Sequence, residues 1–150
     1  MTPLASDLIQ HFFICRQRGC PDAAYSDSYF KTSLDSFVKT HGKKYFEAMQ
    51  EALMCDLWEE IDEYIASAVL WSGEYAQAYP KYQKAATALL KDAIKHESST
   101  IRDEAIVALD DLGTPDALTI LKDAEVMEDQ DFLRNQMKMA IKRLQQKHHI

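Results

Sequence analysis

Glycine is scarce in this chain of 150 residues, at four, and so are proline, also four, and cysteine, three. Each shortage excludes something. With glycine only at positions 19, 42, 73 and 113, no glycine-rich loop can wrap a phosphate, and no P-loop, GxGxxG, GxSxG or HExxH occurs. Three cysteines without a CxxC pair make no disulfide framework and suit reduced, buried thiols. Long apolar runs are missing too: the longest, Ile65 to Trp71 interrupted by Ser67, is far short of the roughly 20 residues a membrane span needs. The opening MTPLASDLIQHFF lacks a basic region, and Asp7, Gln10 and His11 break its apolar residues, so it does not read as a signal peptide; a cytoplasmic protein is expected. Lysine and arginine, 17 against 24 acids, leave a formal charge of −7, which argues against a chain that coats nucleic acid or an acidic membrane.

The plentiful residues build helices. Apolar side chains recur at three and four along almost the whole chain, which puts them on one face of a helix. The pattern predicts a helix from Ser6, as N-cap, to Arg18, with Gly19, Cys20 and Pro21 stopping it. A polar loop to Asp27 and a helix ending at Gly42 follow. From Tyr45 to Trp71 the stripe is one long helix or two joined at Asp56, where Asp56 and Glu59 have capping-box spacing. A break is expected at Ser72 and Gly73, then helices after Pro80, after Ser98 to Thr100, after Thr114 and Pro115, and from Asp129 to Asp131 onward. The fold class is all-α in a single domain, with N-terminal helices over 1–79 and repeats over 80–113 and 114–147. A 17.2 kDa chain has enough buried surface for one core.

The last two segments repeat. A shift of 32 residues lays Ile101-Arg102, Ala105, Ala108-Leu109 and Leu112 on Leu133-Arg134, Met137, Ala140-Ile141 and Leu144. Helix pairs at such a period bury their apolar faces by stacking on their neighbours, as in a solenoid. The stretch STIRDEAIVALDDLGTPDALTILKDAEV resembles HEAT-like repeats, with their Ile-Arg start, Ala-x-x-Ala-Leu helix, Leu-Gly, Thr-Pro-x-Ala and second leucine helix. The likeness covers Pro80 to Leu144. It implies antiparallel helix pairs stacked as a short right-handed α-solenoid, here with an N-terminal helical cap, and a binding scaffold without a particular reaction.

Candidate chemistry is thin. His11 and Cys15, at i,i+4, with Cys20 beyond them could offer three ligands to zinc; a half-buried histidine with core thiols is the commoner outcome and the one adopted, so no metal, cofactor or catalytic residue is expected. Asp110-Asp111, Glu59-Glu60 and Asp62-Glu63 are acid pairs on predicted solvent faces, not partners set apart in a cleft.

Charge is where the sequence is uneven. Residues 1–79 hold twelve acids and six bases, and residues 80–150 hold twelve and eleven. Tyr45 to Pro80 carries eight carboxylates and no lysine or arginine, interleaved with Trp58, Tyr64, Trp71 and Tyr75. A helix surface that only needs solvation mixes signs for its i,i+4 pairs. One sign with large rigid aromatics points to an interface for a basic protein, whose encounter such a field accelerates. The expected partner-binding residues are Glu59, Glu60, Asp62, Glu63, Trp58, Tyr64, Trp71 and Tyr75, with Asp103, Asp110 and Asp111 of the repeat. A small acidic binder of this kind is similar in character to the immunity proteins that bacteria pair with secreted nuclease toxins. The alternative is a nucleic-acid-binding or DNA-repair-type protein that uses the basic stripe of Arg134, Lys138, Lys142, Arg143 and Lys147.

Overall fold

The computed structural model describes residues 1–19 and 28–149. Among these the chain is helical, without a strand: α1 (Pro3–Gln17), α2 (Tyr29–His41), α3 (Lys43–Leu53), α4 (Trp58–Ala78), a 3-10 turn (Pro80–Tyr82), α5 (Gln83–Ala93), α6 (Ser99–Leu112), α7 (Pro115–Met127) and α8 (Asp131–His148). Four starts are fixed by side chains that accept an otherwise unpaired backbone N–H. Thr2 caps Ala5, Ser28 caps Lys31, Ser98 caps Ile101 and Thr114 caps Ala117, each worth about 1 kcal/mol. Gly113 closes α6 in the left-handed conformation, at φ 65°.

The helices form two layers. In one, α1, α3, α5 and α7 lie side by side; in the other, α2, α4, α6 and α8 do so, and the pairs α3/α4, α5/α6 and α7/α8 span the gap. The core between them is aromatic toward the N-terminus, where Phe12, Phe30, Tyr45, Phe46 and Tyr64 are buried, and aliphatic beyond, with Leu89, Leu90, Ile101, Leu109, Leu121 and Leu144. The stacking that the repeat predicts after Pro80 therefore begins earlier. α3 packs on α5 and α4 on α6, so the N-terminal helices extend the same ladder.

Several expected boundaries move. The first helix starts at Pro3 under Thr2, not at Ser6, because proline at the first helical position is pre-set for the turn. The stretch from Tyr45 divides in two, but Leu57, not Asp56, sits at the N-cap of α4 without a side-chain cap, so no capping box forms there. α4, kinked at Ile61, runs on through Ser72 and Gly73 to Ala78. Ser72 donates its hydroxyl back to the Ala68 carbonyl at 2.8 Å. A Cβ on Gly73 would lie 3.0 Å from both the Cβ and the carbonyl oxygen of Ala108. Gly73 serves a close helix contact, and it does not end a helix. The expected stop at Cys20 and Pro21 and the polar loop to Asp27 fall outside the described residues.

Candidate partner-binding face

α4 and α6 run parallel in close contact, and three links fix their register. Ser98 Oγ donates to Asp62 at 3.3 Å, Gly73 meets Ala108, and the Gln77 amide donates to the Asp111 carbonyl. Both helices bury the sides that face the other layer and each other. What α4 leaves outward is Glu59, Glu63, half-buried Leu70, Glu74 and Gln77. α6 leaves Asp103, Glu104, Val107, Asp110 and Asp111. These positions recur at helical spacing, so on α6 the valine has Asp103 and Asp110 on the side of α8 and Glu104 and Asp111 on the side of α4. α8 continues the surface with exposed Phe132 and Met139. The outer face of the second layer thus carries Leu70 and Val107 among carboxylates of α4 and α6, and Met139 of α8 among Asn135, Gln136, Lys142 and Arg143.

The acids of α6 crowd one another. Burial and the neighbouring Asp103 raise the Glu104 carboxyl above the ordinary carboxylate range. Burial raises Asp111 as well, helped by Asp110 and opposed by Arg143. Asp110 is the exception: Arg143 donates Nε to it at 3.0 Å and Nη2 at 2.5 Å. Among the described residues, no salt bridge reaches Glu59, Glu63, Glu74, Asp103, Glu104 or Asp111.

The residues expected to bind a partner separate into groups. Glu59 and Glu63 of α4 join Asp103, Asp110 and Asp111 of α6 on this face. Glu60 turns toward α1, 3.9 Å from Arg16, and Asp62 toward the α5–α6 turn, where it takes the Ser98 hydroxyl. Trp58 is half-buried, edge-on against the His96 ring at 4.7 Å. Tyr64, Trp71 and Tyr75 point inward and are buried, because their positions fall on the core side of α4. Those three rings stabilise the stack and stay off the outer face of α4 and α6, Tyr75 also lining a cavity against α2. Glu104 was not singled out by the sequence; its seven-residue spacing from Asp111, two helical turns, was the available signal.

Of the five cations of the α8 stripe, Arg134, Lys138 and Arg143 are engaged within the chain, while among the described residues no salt bridge reaches Lys142 or Lys147. Arg134 binds Asp131 at 2.8 Å and the Glu128 carbonyl at 2.7 Å, Lys138 lies 4.0 Å from Glu125, and Arg143 holds Asp110. His11 lies among the rings of Tyr29, Phe30 and Phe37, 3.6 Å from the Cys15 sulfur, and burial with Arg18 lowers its pKa. Cys20, the third member of that trio, is outside the described residues. Among the described residues no helix is long and apolar enough to cross a membrane.

No curated protein and no solved structure matches the chain. A family described as HEAT repeats matches residues 62–142, from within α4 to within α8, more than half of the chain. That span takes in one helix more than the likeness read from Pro80 onward, in agreement with the packing of α4 on α6. With the repeated helix pairs and the two-layer stack in view, the chain belongs to the HEAT repeats family, a family of helical scaffolds for protein interaction.

Proposed function

We propose that this chain is a non-enzymatic scaffold that binds a basic protein on the outer face of α4 and α6. One observation carries the reading: two acidic sets far apart in sequence, Glu59 with Glu63 and Asp103 with Glu104 and Asp111, lie outward around Leu70 and Val107, and among the described residues none of the five is in a salt bridge, Asp111 alone feeling the Arg143 that holds its neighbour Asp110. Like-charge crowding among the acids of α6 finds its compensation in a positive partner, and Leu70 and Val107 between the acids supply burial that charge alone does not. In its narrowest form the proposal is an immunity-type inhibitor, in which the carboxylates stand where phosphates of nucleic acid would lie on a nuclease. The engagement of Arg134, Lys138 and Arg143 with acids of the chain favours this over phosphate binding by α8.

The test is a variant with Glu59→Lys, Glu63→Lys, Asp103→Lys and Asp111→Lys. Against a basic partner recovered with the unmodified chain, association slows by about tenfold or more and loses its steep salt dependence. An unchanged rate and salt slope would place the interface elsewhere.

A further inference from the structure

A cavity of about 550 Å³ opens between α2, the C-terminal end of α4 and the 3-10 turn. It lies apart from the acidic surface of α6, and its chemistry is different. At its base Lys31, only 11% exposed, holds its ammonium 2.6 Å from Asp35 and 4.6 and 4.9 Å from the ring centres of Trp71 and Tyr75. The Tyr75 hydroxyl donates to the same Asp35 oxygen at 2.5 Å. Burial raises the Tyr75 hydroxyl well above its ordinary range, so it remains a neutral donor. Asp35 thus shares one oxygen, Oδ1, between a cation and a hydroxyl, and its half-exposed carboxylate forms an ion pair with Lys31 in the cavity wall.

The mouth is positive in a chain that is negative as a whole. Lys39 and Lys81 line it, both exposed, and among the described residues neither is in a salt bridge; Glu74 is the other carboxylate of the wall. The remaining wall is aromatic. Tyr79, 51% exposed, sits 5.9 Å from Tyr82, and the Lys81 ammonium lies 5.1 Å from the Tyr82 ring centre. A half-exposed ring beside two unneutralised ammonium groups matches a ligand with a flat π-face and a negative group, since stacking and charge then act on opposite ends of one small molecule. Glu74 can accept from an N–H or O–H of that ligand. A cationic ligand is disfavoured, because Lys31 already fills the aromatic and carboxylate cage at the base.

We infer that the cavity between α2 and the Pro80–Tyr82 turn binds a small aromatic anion of the mononucleotide class, with its ring on Tyr79 and its anionic group between Lys39 and Lys81. The experiment is a titration of the full chain with AMP, UMP, adenosine, inorganic phosphate and trimethyl-lysine, read by calorimetry and by the backbone amide signals of Tyr79, Lys81 and Tyr82. AMP or UMP moves those signals, and adenosine and phosphate alone bind about tenfold more weakly or worse. Lys39→Gln with Lys81→Gln, and separately Tyr79→Ala, weaken binding by about tenfold, while the melting temperature holds because all three side chains are exposed. The inference is overturned if neither nucleotide moves the signals at millimolar concentration, if phosphate or adenosine binds as tightly as AMP, if trimethyl-lysine binds tighter, or if the variants bind AMP unchanged.

Discussion

Arg143 of α8 grips Asp110 of α6 chiefly by Oδ2, with Nε at 3.0 Å and Nη2 at 2.5 Å, and Nε also reaches Oδ1 at 3.4 Å. This pair ties the last repeat to the one before it, and it neutralises one of the acids that surround Val107. Arg143 is about half exposed, so the pair adds little to stability. Replacement by glutamine, Arg143→Gln, is expected to lower unfolding free energy by less than about 1 kcal/mol in urea titration. The same variant should bind a ten-residue lysine peptide more tightly than the unmodified chain at low salt, because Asp110 is released to the outer face.

Glu104 gives a pH signature. Its carboxyl is raised in the folded chain, chiefly by burial and then by Asp103, so the folded state holds that proton more firmly than the unfolded state does. The linkage is therefore destabilising at neutral pH: stability from this group falls as pH rises from the ordinary carboxylate value through the raised one, and the cost is absent below both. Glu104→Gln should raise the melting temperature at pH 7 by about 2 °C, and the difference should vanish near pH 4. An increase that persists at pH 4 would assign the effect to packing.

Among the described residues, Arg102 and Glu128 form the most enclosed ion pair, at 12% and 3% side-chain exposure. Arg102 meets both carboxylate oxygens, at 2.9 and 3.2 Å, and also donates to the carbonyls of His96 and Glu97. It thereby joins the α5–α6 turn to the α7–α8 turn. Arg102→Met strands a buried carboxylate and should cost about 3 kcal/mol in urea unfolding. Adding Glu128→Leu should recover part of that loss, since the stranded charge is then gone.

Gly73 sets how closely α4 and α6 approach. Gly73→Ala forces a Cβ to within 3.0 Å of Ala108, so the expected loss is about 1–3 kcal/mol despite the higher helix propensity of alanine. The companion Ala108→Gly in that background should restore part of the stability by vacating the clash. A melting temperature above the unmodified chain for Gly73→Ala alone would contradict the packing described.

The helices from α5 onward were legible because their stops and starts are local: Gly113 with Thr114 and Pro115, and Ser98, act within a few residues. The repeat motif lay on the same helices. α4 was misread at Ser72 and Gly73 because the reason for those small residues is Ala108, far along the chain. The acids were legible as charge, but their sorting was not. Glu59 and Glu63 point outward while Glu60 and Asp62 turn to α1 and to Ser98, and that depends on the rotation of α4 set by its buried face. Aromatic residues in a charged stretch look the same whether they face a partner or the core; here Tyr64, Trp71 and Tyr75 face the core.

The most direct test of the binding face compares two baits, the unmodified chain and the form with Glu59→Lys, Glu63→Lys, Asp103→Lys and Asp111→Lys, in quantitative affinity capture from the source organism. The account predicts that proteins captured by the first and lost by the second have basic surfaces and are released from the unmodified chain as salt rises through about 0.15 M, where screening shortens to about 8 Å. Capture of the same proteins in equal amounts by both baits would contradict it.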